Sequence, residues 1–253
     1  MKRLQDNVTI ITGGGKGIGF GLASAFAKEG SNLVITGRNE ARLLEAKKKL
    51  EEGYGVKVLA LVADGADEVK IKEVIAKTVD TFGKINTLIN NAQTSKSGLS
   101  LIEHTKEDFD LAINSGLYAT FFYMKEAFPY LKESKGSVIN FASGAGLFGK
   151  LGQSSYAAAK EGIRGLSRVA AAEWGPDGVR VNIIAPLAMT ESLTEWKETY
   201  PELFAKTIQG IPLGRFADPM QDIGRVAVFL ASDDASYVTG ETITLQGGSG
   251  LRP

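Results

Sequence analysis

The segment Thr12-Gly13-Gly14-Gly15-Lys16-Gly17-Ile18-Gly19 lies between a short apolar run at residues 8–11 and a helical pattern at 18–28. A strand that feeds a helix through this many glycines must make a tight turn whose backbone can approach another group closely. The rest of the chain repeats the same alternation. Strand-length apolar runs occupy 33–36, 56–62, 87–89, 137–141, 181–184 and 242–245, and helical patterns fill 40–52, 68–82, 107–131, 154–174 and 220–231. This β-α-β-α order predicts an α/β fold, a doubly wound parallel sheet with helices on both faces. Strands buried on both sides should be apolar almost throughout, as most of these runs are.

No linker, repeat or low-complexity tract interrupts the sequence, so residues 1–253 are expected to form one domain. One stretch, 190–215, breaks the rhythm. It holds Pro201 and Pro212, contains no strand run, and is a candidate substrate lid. The 47–52 charge run reads as a solvated helix face.

Composition removes several chemistries. Lysine and arginine number 29 against 29 acidic residues, so no basic excess points to nucleic acid. Cysteine is absent, which excludes disulfides, thiolate catalysis and cysteine-ligated zinc. The lone histidine, His104, cannot build a histidine metal cluster, so no metal is expected; it reads as a solvent-facing loop residue. Residues 1–8 lack an apolar signal core, and no apolar stretch approaches the roughly 18 residues of a membrane span. A cytoplasmic protein with no membrane partner is expected.

In the glycine loop, Gly13, Gly15, Gly17, Ile18 and Gly19 allow a pyrophosphate to approach the backbone and the free N–H groups of the following helix. The second strand run is followed by Gly37-Arg38, where a site for NAD would place a carboxylate on the ribose. A guanidinium there suits a 2′-phosphate, and Lys16 adds a second positive charge, so NADP(H) is the expected cofactor.

Tyr156 and Lys160 stand at i, i+4 in a helical stretch and share one face. The ammonium, with a positive oxidised nicotinamide, would favour the phenolate and make Tyr156 an acid/base for an alcohol or ketone. Lys160 also has the reach to hold the nicotinamide ribose. Ser143, after the fifth strand run, has a hydroxyl suited to hold the substrate oxygen.

With the loop at Thr12–Gly19, Asp64 after the third run, Asn90-Asn91-Ala92 after the fourth, and Ser143, Tyr156 and Lys160, the chain resembles the short-chain dehydrogenase/reductase family from about Leu4 to its end. The resemblance implies a Rossmann-like fold. It also implies Asp64 against adenine, Asn91 shaping the cofactor cleft, Thr190 near the carboxamide, and a homotetramer built on helix faces and the C-terminal strand.

The chain departs from the family at several points. Gln93 replaces a glycine. Gly116 stands where the family has a helix asparagine; Asn114 is two residues earlier, about 200° around a helix, unless a kink brings it in. Leu187 replaces a glycine, Thr190 comes one position early, and Gly65 follows Asp64. Within the family, Asn91-Ala92-Gln93 and the segments 115–121, 141–149 and 186–190 are similar to bacterial NADP-dependent 12α-hydroxysteroid dehydrogenases acting on bile acids. That similarity implies a hydrophobic alcohol or ketone substrate. Leu147, Phe148, Leu151, Leu187, Met189, Leu193 and Trp196 are candidates for an apolar slot. The alternatives are a 3-oxoacyl or general ketone reductase, and an NADP(H)-binding sensor that has lost catalysis.

Overall fold

The computed structural model describes residues 2–250, apart from the side chain of Ser192. Seven parallel strands form one sheet in the order β3-β2-β1-β4-β5-β6-β7. They are β1 (Val8–Thr12), β2 (Asn32–Gly37), β3 (Val58–Val62), β4 (Thr87–Asn90), β5 (Ser137–Phe141), β6 (Arg180–Pro186) and β7 (Thr242–Leu245). The chain winds outward from β1 in one direction and then from β4 in the other. Ligands bind such sheets at the carboxyl ends of the strands beside that reversal. The doubly wound, Rossmann-like expectation therefore holds.

The continuous apolar runs have a simple cause. Successive side chains alternate between the two faces of the sheet, and both faces are covered. Ile11, Leu33, Ile35, Ile89, Ile139 and Ile184 pack into one core layer, while Ile10, Val34, Leu88, Val138 and Val181 pack into the other. Pairing carries this across the sheet: Ile10 lies beside Val34 and Leu88, Leu88 beside Val138, and Val138 beside Val181. A buried polar link ties β4 to β5, with Asn90 donating to Asn140 Oδ1 at 2.9 Å and Asn140 donating to Ser167 Oγ at 2.8 Å.

The first helices are α1 (Gly17–Lys28), α2 (Glu40–Tyr54) and α3 (Glu68–Phe82). Asn39 and Asp67 cap α2 and α3 with their side chains, and Gly55 and Gly83 end them in left-handed conformations. The helix expected over 107–131 is divided. It runs as α4 (Lys106–Ala112), a π-helical turn (Ile113–Tyr118) and α5 (Ala119–Ser134). Gly116, a poor helix former, sits inside the widened turn. The pattern at 220–231 is likewise a π-helical turn, Pro219–Gly224, leading into a later short helix.

The remaining helices are α6 (Gly144–Leu147), α7 (Ser154–Trp174), α8 (Glu191–Thr199), α9 (Pro201–Gln209) and, after the second π-helical turn, α10 (Arg225–Ala231). The irregular region has no strand, as expected, but it is helical, with Pro201 opening α9 where a missing N–H costs nothing. Phe204, Ile211 and Phe216 form a small core there, backed by Leu187, Met189, Leu193 and Trp196. No helix among the described residues is long and apolar enough to cross a membrane.

Candidate active site

Two cavities open at the carboxyl ends of the central strands. The larger, about 730 Å³, lies between β1 and β4. Gly13 turns through a left-handed φ of 70° while its amide donates to Thr36 O at 2.8 Å. A side chain on Gly19 would collide with the Gly13 carbonyl, and one on Gly14 would come within 2.7 Å of Ile35 Cγ2. The glycines therefore let α1 press directly onto the loop. Unlike α2 and α3, α1 starts with no side-chain cap, at Lys16. Its first N–H groups and dipole face the cleft, an arrangement that suits an anion.

Lys16 and Arg38 line this cleft, and Arg42, which the sequence reading missed, joins them. It stands one turn into α2, where its amide donates to the Asn39 cap at 2.9 Å. Arg38 donates to Thr94 Oγ1 at 3.1 Å, which aims the guanidinium across the cleft. Gly15, Gly17, Ile18, Asp64, Asn91 and Thr190 also line it. Asp64 accepts from the Ala66 amide at 3.0 Å, so its carboxylate also holds the turn after β3. Asn91 donates to Thr12 O at 3.0 Å, and the Thr12 hydroxyl accepts from the amides of Asn91 and Ala92. The loop after β4 is thus tied to the loop after β1. The uncapped helix, the glycine turn and the cationic corner together fit a nicotinamide dinucleotide.

The second cavity, about 580 Å³, is lined by Tyr156, Lys160, Asn91 and Phe141, with Leu187, Leu193 and Trp196. Ser143 caps α6 by accepting from the Ala145 amide at 3.1 Å. Lys160 is buried, donates to the Phe141 carbonyl at 2.7 Å, and sits 5.6 Å from the Tyr156 ring centroid. Burial pushes the Tyr156 phenol up, and a hydrogen bond with Ser143 partly offsets this. Burial pushes the Lys160 ammonium down to about 7. Lys160 is not among the groups that lower the Tyr156 phenol, because burial opposes the charged form of each. The i, i+4 pairing itself is as expected, and Ser143 stands on the phenol.

The apolar slot differs in detail. Leu187, Leu193 and Trp196 line the second cavity, joined by Leu203, Thr207, Phe216 and Lys150. Leu147 packs against buried residues under β6, and Met189 supports the lid core. Phe148 and Leu151 face solvent, with Leu151 94% exposed. None of these four lines the cavity. Hydrophobic identity alone did not separate lining from packing. His104 also departs from expectation, since it is partly buried and within 2.9 Å of Ser154 Oγ, against the edge of Phe109.

Gln93 and Gly116 meet. A Cβ on Gly116 would lie 2.6 Å from Gln93 Cδ, so the carboxamide occupies the volume a side chain at 116 would need. Gln93 lines the larger cavity, donates weakly to Ala112 O at 3.4 Å, and keeps its buried Oε1 without a partner. Asn114 is exposed and lines neither cavity, so the π-helical turn does not carry it into the site.

A family profile described as Enoyl-(Acyl carrier protein) reductase matches residues 13–249. A 12α-hydroxysteroid dehydrogenase from a Clostridium species is 61% identical over 97% of both chains. A 3-oxoacyl-[acyl-carrier-protein] reductase from Thermotoga maritima is 38% identical, covering 97% of this chain and 98% of its own. Among solved structures, levodione reductase superposes with a TM-score of 0.92 at 34% identity, covering 98% of this chain and 99% of that one. NAD+-bound xylitol dehydrogenase superposes with a TM-score of 0.91 at 26% identity, covering 98% of this chain and all 100% of its own.

Proposed function

Starting from the premise that the chain belongs to the short-chain dehydrogenase/reductase family and is an oxidoreductase, we propose that it interconverts a secondary alcohol and a ketone with NADP(H), acting on the 12α-hydroxyl of bile acids. The family uses a nicotinamide cofactor, and the preference for NADP(H) rests on Lys16, Arg38 and Arg42 around the cleft. The substrate rests on the 61% identity to a 12α-hydroxysteroid dehydrogenase and on an apolar cavity under the lid.

The nicotinamide, when bound, supplies or takes the hydride at its C4. The chain's own groups handle the proton. In ketone reduction the Tyr156 hydroxyl donates to the developing alkoxide, and in alcohol oxidation the phenolate takes the hydroxyl proton. Ser143 donates a hydrogen bond to the same oxygen, where charge develops in the transition state. Lys160, held by the Phe141 carbonyl and set beside the Tyr156 ring, would hold the nicotinamide ribose with its remaining donors. The lid at 190–215, with Leu193, Trp196, Leu203 and Thr207, covers the substrate and excludes water.

A homotetramer is part of the same reading. Tyr118 and Phe121 are exposed beside Phe122 at the start of α5, and Val169 is exposed on α7. Such a helix face is suited to cover a copy of itself.

The single observation that carries the proposal is Tyr156 and Lys160 lining the second cavity, with Ser143 hydrogen-bonded to the phenol, where that cavity shares Ile18, Asn91 and Thr190 with the larger one. A spectrophotometric screen tests it, with NADPH and NADH each offered 12-oxo bile acids and 3-oxoacyl thioesters. Faster turnover of the steroid with NADPH is expected. Faster turnover of the thioester would assign the chain to the acyl reductases instead, and better use of NADH would overturn the cofactor assignment.

A further inference from the structure

The substrate cavity has a chemical asymmetry that the catalytic residues do not use. Its lining is apolar except for Asn91, Thr190, Thr207, Tyr156 and two lysines, Lys150 and Lys160. No carboxylate lines it among the described residues. Lys160 is already engaged by the Phe141 carbonyl. None of the ion pairs among the described residues includes Lys150. Its backbone is fixed nonetheless. Gly149 turns through a left-handed φ of 65° after α6, and the Lys150 amide donates to Ala145 O at 3.0 Å. This turn places the lysine at the cavity instead of continuing α6 outward.

An unpaired cation on an apolar cavity with no facing acid selects for a ligand that is hydrophobic along its body and anionic at one end. We propose that Lys150 is a specificity-determining residue that binds the terminal carboxylate of an amphipathic substrate, while Tyr156 engages the oxygen that reacts. The inference rests on the steroid reading above and deepens it. It distinguishes side-chain acids from neutral steroids of the same ring skeleton.

Lys150 does not touch the reacting atoms. Its removal therefore alters substrate binding, with no change in the chemical step once substrate is bound. The lysine is exposed, so the effect is modest: about three- to fivefold in KM for Lys150→Met, the scale of an accessible ion pair. Lys150→Glu adds repulsion and raises KM further.

The test compares a 12-oxo bile acid with its methyl ester on the wild type, Lys150→Met and Lys150→Glu. KM and kcat are measured with NADPH, and Kd is measured by calorimetry. The expected result is a KM and Kd that rise for the acid, do not change for the ester, and leave kcat unaltered for both. An equal change for acid and ester, or no change for either, overturns the role of Lys150 while the steroid reading stands. If the wild type neither binds nor reduces either steroid, the substrate reading itself fails and this inference falls with it.

Discussion

Adding a methyl group at Gly116 is expected to have opposite signs in two backgrounds. The new Cβ would lie 2.6 Å from Gln93 Cδ, against the roughly 3.5–4.0 Å of ordinary carbon contact. The carboxamide must therefore retreat by about 1 Å. Overpacking of this kind costs about 1–3 kcal/mol. The gain in helix propensity from glycine to alanine is about 1 kcal/mol in the other direction. In the wild-type background the net effect of Gly116→Ala is a loss of about 0–2 kcal/mol. With Gln93→Ala already present the obstacle is gone, and the same change is expected to stabilise by up to about 1 kcal/mol. The coupling between the sites is then about 1–3 kcal/mol. At roughly 2–4 °C per kcal/mol for a chain of this size, thermal unfolding of all four proteins by circular dichroism resolves it. NADPH binding supplies a second readout, because a displaced Gln93 moves into the cleft that it lines. Gly116→Ala should weaken NADPH binding only while Gln93 is present. Equal shifts in Tm in both backgrounds would refute the argument that Gln93 fills the space opposite Gly116.

Further outcomes follow from the same geometry. Lys160 titrates near 7 in the fold against 10.5 for the ordinary side chain, so the unfolded chain binds a proton the fold releases, and stability rises with pH between those values. Lys160→Met removes that slope, and its stability relative to wild type should fall by about 2 kcal/mol, or roughly 4–8 °C in Tm, from about pH 7 to about pH 9; parallel pH profiles would show that the ammonium is not dehydrated. Arg38→Ala should raise the Kd for NADPH about tenfold with little change for NADH, measured by fluorescence titration, as the loss of a charged donor to phosphate predicts. Phe121→Asp should lower the mass seen by light scattering, since the charge would sit on the exposed aromatic face of α5; an unchanged mass would remove that face from the assembly.

Much of the fold was legible because a two-sided parallel sheet writes itself as apolar runs, and the glycine loop marks a βα turn whose helix starts without a side-chain cap. Tyr156 and Lys160 were legible because four residues is nearly one helical turn. The remainder depended on contacts that no local pattern encodes. Gln93 filling the space at Gly116 joins the loop after β4 to a π-helical turn. Arg42 is cationic like many surface residues, and only the turn into α2 brings it to the cleft. Burial of Lys160, which lowers its basicity, comes from packing under β5 and not from the residues beside it. The sequence also overestimated the apolar slot. Leu147 and Met189 were drawn into supporting packing, while Leu203 of the lid and Phe216 just after it line the cavity.

The central claim is that the Tyr156 phenol exchanges the proton while the cofactor site stands independently of it. Single-turnover measurement of Tyr156→Phe, with NADPH bound and a steroid ketone added, tests both parts together. The chemical step should slow by about 10²–10⁴-fold, and the Kd for NADPH should stay within about threefold of wild type because the glycine loop and cationic corner are untouched. A chemical step near the wild-type rate, with cofactor binding intact, would contradict the account.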